Sequence, residues 1–138
     1  MTMKELTIKA AIENIEKVTI FVNTELEALD CPYKAEMQID LAIDELFGNI
    51  ANYAYNPETG DATVRLEVEE DPLSVIITFS DNGKPFNPLE AKEPDTTLSA
   101  EERQIGGLGI FIVKKYMDMI DYDYRDGQNI LRIKKVLR

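Results

Sequence analysis

Apolar and polar positions change period several times along the chain, and each change marks an element. Residues 4–10 alternate as a half-buried strand does. From 12 to 29 the spacing becomes helical, with Ile12, Ile15, Val18, Val22, Leu26 and Leu29 on one stripe. Asp30, Cys31 and Pro32 break that helix. A second helix is predicted from about Lys34 to Tyr55, ended by the turn cluster Asn56 to Gly60. Alternation then returns. Val64, Leu66 and Val68 oppose Arg65, Glu67 and Glu69, and an apolar strand from Leu73 to Phe79 follows a turn at Asp71 and Pro72.

Lys84 to Ile105 carries Pro85, Pro88 and Pro94 and few apolar residues. Such a long connection reads as a functional loop or lid. Within it, Ser99 to Glu102 has the form of a capping box for one short helical turn. A third helix opens at the glycines 106–109 and runs to about Asp118. Strands near 121–125 and 129–136 close the chain across a turn at Asp126-Gly127. The order β-α-α-β-β-loop-α-β-β predicts an α+β fold. Its form would be a two-layer α/β sandwich with a mostly antiparallel sheet and helices on one face.

Composition narrows the function. A chain of 138 residues, 44% hydrophobic, supports one domain spanning 1–138. Its formal net charge is −11, which argues against direct nucleic-acid binding and against docking on an anionic membrane. With no histidine, Ser-His-Asp and Cys-His catalysis and autophosphorylation on histidine are excluded. The lone Cys31 forms no internal disulfide and is read as a packing residue. No apolar run reaches membrane-span length, and the N-terminus lacks a signal-peptide pattern. A soluble, cytoplasmic protein is the expectation.

Three clusters carry candidate chemistry. On the second helix, Gln38, Glu45, Asn49 and Asn52 gather opposite Ile39, Ile43, Leu46, Phe47, Ile50 and Ala54. A solvated face would account for such a stripe, but two asparagines in mid-helix are poor helix formers. The stripe also lacks balancing Lys or Arg. Glu45 and Asn49 stand at i and i+4, and a carboxylate beside a neutral oxygen suits Mg²⁺. The second cluster is Asp81-Asn82-Gly83, directly after an apolar strand. It would serve equally as a turn, yet a carboxylate at a strand end can also accept a hydrogen bond from an exocyclic amine. The third is Gly106-Gly107-Leu108-Gly109 at a helix start, where backbone amides and the helix dipole favour an anion. It lacks the Gly-Lys-Ser/Thr of a Walker A loop and the spacing of a dinucleotide fingerprint.

Taken in order, the three resemble the nucleotide site of the GHKL (Bergerat-fold) ATPase superfamily over nearly the whole chain. The segment Glu45 to Tyr55 resembles the N box. Asp81 to Phe86 resembles the G1 box, and Gly106 to Asp118 the G2 box. The size and the Leu98–Arg103 segment look most like the stand-alone anti-sigma factor serine/threonine kinases. The resemblance implies a mixed, mostly antiparallel sheet and an ATP lid at 84–105. It implies ATP and Mg²⁺ as cofactors, with Asn49 as the metal ligand and Glu45 as the general base. ATP-binding positions would be Asn49, Asn52, Asp81, Gly83, Phe86, Gly106, Gly107, Leu108 and Gly109. Asp81 would hold the adenine amino group with Gly83 under the ring. The implied activity is γ-phosphate transfer to a serine of a small STAS-type anti-anti-sigma protein, in a partner switch with a sigma factor. A homodimer is common in the family, and the first strand is a candidate for pairing.

The chain departs from the family pattern at three places. Tyr53 stands where histidine is usual, Gly127-Gln128-Asn129 replaces a Gly-Thr pair, and the nearest arginine to the G2 glycines is Arg103. Two other readings compete: a nucleotide-sensing module that sequesters a regulator without catalysis, and a fragment resembling a histidine-kinase catalytic domain.

Overall fold

A computed structural model describes residues 3–56, 58–90 and 107–138. Five strands form one sheet: β1 (Met3–Lys9), β2 (Asp61–Glu69), β3 (Ser74–Asp81), β4 (Met119–Arg125) and β5 (Gln128–Val136). Their spatial order is β1-β2-β3-β5-β4, and all four pairings are antiparallel. The sheet is therefore antiparallel throughout the described residues, without the mixed component the resemblance implied. Three helices cover it: α1 (Ile15–Ala28), α2 (Tyr33–Asn49) and α3 (Gly107–Tyr116).

Register explains which side is buried. Along β3, Val75, Ile77, Phe79 and Asp81 fall on one face at a period of two. That face pairs with Ala62, Val64 and Leu66 of β2 and with Asn129, Leu131 and Ile133 of β5. Val18, Val22 and Leu26 of α1 close over this side, with Ile39, Ile43, Leu46 and Phe47 of α2 and Ile110 and Val113 of α3. The opposite face carries exposed ion pairs, Glu5–Arg65, Asp121–Arg132 and Glu69–Lys134. Pairs this exposed contribute little each.

Local chemistry sets the element ends. Asp30 adopts φ 53°, the left-handed conformation that stops α1, and Cys31 N–H closes on Leu26 O at 3.0 Å. Asp126 and Gly127 both take positive φ, 54° and 77°, as a two-residue hairpin turn requires. The second helix differs from its sequence-based expectation. It does not run regularly to Tyr55 but widens into a π turn over Ile50–Ala54. Such turns change the phase of a helix face and recur at functional sites.

Candidate functional site

Asp81 is the last sheet residue of β3 on the helix-covered side, so strand periodicity drives its carboxylate inward. It is 5% exposed. Its Oδ1 accepts from Gly83 N–H and from Asn129 Nδ2, both at 2.9 Å. Oδ2 has no partner among the described residues. Burial raises the Asp81 pKa above the ordinary carboxylate range, and the Asn129 and Gly83 hydrogen bonds counter that shift in part.

An open-mouthed cavity with about 380 Å³ of empty space, part of it continuous with solvent, lies in front of this carboxylate. Its walls are Leu46, Ile50, Ala54, Phe79, Phe86 and Leu131, with Asn49, Asp81, Tyr122 and Asn129 as its polar groups. Apolar walls around a single buried carboxylate fit a flat heteroaromatic ring that presents an amine. Gly83 lies at this cavity's edge for a geometric reason. A methyl group there would stand 2.6 Å from the Ala54 carbonyl carbon and closer still to its oxygen. Only glycine lets the turn reach the π segment, where Lys84 N–H donates to Ala54 O at 2.8 Å. Tyr55 ties the same turn from below, accepting from Asn82 N–H at 2.8 Å and donating to Asp61 O at 2.6 Å.

Next to Asn49, Glu45 is half-buried where α2 meets the start of α3. A methyl group on Gly109 would run into its carboxylate, 2.5 Å from Cδ. The glycine therefore admits the carboxylate beside the first turn of α3, where backbone amides have no intrahelical partner and the dipole is positive. Burial raises the Glu45 pKa, opposed by the Asn49 side chain, whose Nδ2 donates to Oε1 across 3.4 Å. That hydrogen bond leaves Asn49 Oδ1 without a protein partner among the described residues. One neutral oxygen, completed by phosphate and water, suits a Mg²⁺ site. No group of three or more His, Cys, Asp or Glu side chains among the described residues could hold a metal by itself. The residues present thus fit a cation carried in with phosphates.

The structure brings Asn49, Asp81 and Phe86 to one cavity with Gly83 beside Asp81, while Glu45 and Gly109 meet each other next to Asn49, outside the cavity lining. Asn52 does not join them. It is exposed on the π turn and is not among the residues lining the cavity. Gly107 and Leu108 begin α3, while Gly106, Arg103, the Ser99–Glu102 box and the 91–105 part of the lid lie outside the described residues. Tyr53, which stands where the family pattern has histidine, is 45% exposed, and its ring lies 5.4 Å from that of Phe86. Sequence reasoning missed two site residues, Tyr122 and Asn129. The signal for Asn129 was present: it shares the period-two face of Leu131 and Ile133, where a polar residue has to find partners.

Residues 8–135 match the family model described as "Histidine kinase-like ATPase domain". Among curated proteins, the chain is 30% identical over 95 residues to serine/threonine-protein kinase BtrW of Bordetella bronchiseptica. That match covers 69% of this chain and 66% of the relative. It is 32% identical over 110 residues to serine-protein kinase RsbW of Listeria monocytogenes, covering 75% and 68%. It is 25% identical over 138 residues to the RsbW of Bacillus mycoides, covering 97% and 85%. The chain thus spans about two thirds of the length of the first two relatives. A histidine kinase from Acinetobacter baumannii, AdeS, shares the fold at a TM-score of 0.56 and 13% identity. That superposition covers all of this chain and 70% of AdeS.

Proposed function

Because the chain belongs to the histidine kinase-like ATPase domain family, we propose that it is an ATP-dependent serine/threonine protein kinase acting as an anti-sigma factor. Its substrate is a serine on a small STAS-type anti-anti-sigma protein, and its second partner a sigma factor. The relatives named RsbW and BtrW are serine or serine/threonine kinases, which supports this class. The observation that carries the reading is the pairing of two carboxylates in different settings. Asp81 is buried and lines an apolar cavity, and Glu45 stands beside the start of a helix, hydrogen-bonded to Asn49 of the cavity wall.

In this reading Asp81 Oδ2 accepts a hydrogen bond from the exocyclic amine of adenine, while Phe79, Phe86 and Leu131 exclude water from the ring. The first backbone amides of α3 receive the phosphates. Asn49 would hold Mg²⁺ through Oδ1, and the cation would supply charge neutralisation to the phosphates. Glu45 takes the proton of the attacking hydroxyl. Its raised pKa brings the carboxylate closer to the working pH of a general base.

Calorimetric titration with Mg-ATP and Mg-ADP, with Asp81→Asn in parallel, tests the nucleotide site. Micromolar-range binding that is lost in the variant supports it, and absence of heat with either nucleotide refutes it. Mass spectrometry of a STAS-type partner after incubation with Mg-ATP tests the transfer. One added phosphate that disappears with Glu45→Ala supports the kinase. Nucleotide binding with an unmodified partner identifies a nucleotide-sensing module instead.

A further inference from the structure

Asn129 occupies the cavity floor beside Asp81 and is 6% exposed. Its side-chain amide makes four hydrogen bonds. Nδ2 donates to Asp81 Oδ1 at 2.9 Å and to Lys84 O at 2.7 Å. Oδ1 accepts from Phe86 N–H at 3.0 Å and from the Tyr122 hydroxyl. A carboxamide offers two protons and one carbonyl oxygen with two lone pairs, so this one is saturated. It has nothing left to offer a ligand.

Two consequences follow. The only polar group Asn129 can present to a nucleobase is the neighbouring carboxylate, which it holds by one oxygen so that the other faces the cavity. The same side chain fastens Lys84 and Phe86, the first residues of the long connection, to that carboxylate. Phe86 in turn lies over Tyr53 of the π turn. The carboxylate and the root of the connection therefore share one joint, on β5, across the strand pair Asp81–Asn129.

We infer that Asn129 is a positioning residue with two separable tasks: it aims Asp81 Oδ2 at the exocyclic amine of a purine, and it pins residues 84–86 to the base pocket. The inference rests on the nucleotide-binding reading for its first task and is independent of it for the second. Base selectivity then comes from Asp81 alone. A 6-amino purine donates to Oδ2, whereas a 6-oxo purine places an acceptor against it and is rejected.

Two variants separate the tasks. Asn129→Ala removes every bond and leaves a polar hole that water can enter. Asn129→Thr keeps one hydroxyl donor for Asp81 but cannot also reach Lys84 O and Phe86 N–H. Binding of Mg-ATP and Mg-ITP is measured by calorimetry, and exchange of the Phe86 amide by hydrogen–deuterium exchange without nucleotide. We expect Asn129→Ala to shrink the ATP-over-ITP preference by about ten- to hundredfold, the loss of a hydrogen bond to a charged group. Asn129→Thr should keep that preference within about threefold, yet exchange the Phe86 amide at least about tenfold faster, as an unpaired amide does. A role in folding alone would weaken both nucleotides equally. An unchanged preference in Asn129→Ala overturns the aiming task, and unchanged Phe86 exchange in Asn129→Thr overturns the pinning task. If the wild-type protein binds neither nucleotide, the functional reading fails together with the aiming task, while the exchange arm still decides the pinning.

Discussion

Gly109→Ala should leave the fold intact and disable the chemistry. Gly109 lies inside α3, where replacing glycine by alanine gains about 1 kcal/mol of helix propensity. The nearest atoms the new methyl group meets among the described residues belong to the Glu45 carboxylate, with Cδ at 2.5 Å and Oε1 at 3.0 Å. That obstacle is the free end of a flexible side chain. Moving it to another rotamer costs about 0.5–1.5 kcal/mol, so the two effects nearly cancel. For a chain of this length the melting temperature should shift by no more than about 4 °C. The displaced carboxylate no longer stands where the hydroxyl proton must be taken, and misplacement of a reacting group by about 1 Å costs roughly 10²-fold in rate. The assay is phosphate transfer to the protein partner under single-turnover conditions, alongside Mg-ATP binding and thermal unfolding. Transfer should fall about a hundredfold or more, with nucleotide affinity within a few-fold of wild type. Wild-type transfer would show that the contact between Gly109 and Glu45 does not govern the base. A melting point lowered by more than about 8 °C would show that the site cannot relax as argued.

The matching substitution beside Asp81 should behave in the opposite way. Gly83→Ala places its methyl group against the Ala54 backbone, which cannot rotate aside, and breaks the Lys84–Ala54 hydrogen bond. Overpacking and the lost bond together cost about 2–4 kcal/mol, a drop of roughly 7–14 °C in thermal unfolding. Asn49→Ala should weaken Mg-ATP more than adenosine in calorimetry, because only the former carries the cation; equal losses would contradict the metal role. Asp40 is half-buried against Asn23 of α1, with Glu36 and Asp44 nearby on its own helix, and desolvation raises its pKa. A raised carboxylate pKa means that the folded state holds its proton to higher pH than the unfolded chain. Stability from this group is therefore present at low pH and lost as pH rises through the window above the ordinary carboxylate range. Asp40→Asn removes that loss and supplies an NH₂ donor near Asn23 Oδ1, which has no partner among the described residues. It should raise the melting point by about 3–4 °C at pH 7.5, about one satisfied hydrogen bond, with the gain shrinking toward pH 4. An equal gain at both pH values would place the effect outside Asp40 titration.

Much of this architecture was legible in one dimension because it is periodic. Strand alternation placed Val64, Leu66 and Val68 together, and the same period carried Asp81 and Asn129 to the covered face of the sheet. Local chemistry also marked the stops, at Asp30 and at Asp126-Gly127, where left-handed backbone favours those residues. The order of the three motifs was enough to name Glu45, Asn49, Asp81 and the glycines as candidates.

Only tertiary contact decided the rest. A helical wheel assumes a constant pitch, and so it grouped Asn52 with Glu45 and Asn49. The π turn at Ile50–Ala54 breaks that pitch, and Asn52, exposed on it, does not line the cavity. Period alone shows that Asn129 is buried, but not that its four hydrogen bonds join β3, β4, β5 and the segment after Asp81. A glycine in sequence is merely permissive. At 83 and 109 its necessity lies in an atom from a distant part of the chain, Ala54 O in one case and the Glu45 carboxylate in the other. Periodicity is a property of neighbours along the chain. Close approach and hydrogen-bond saturation are properties of neighbours in space, and they exist only once the sheet, the π turn and the third helix have come together.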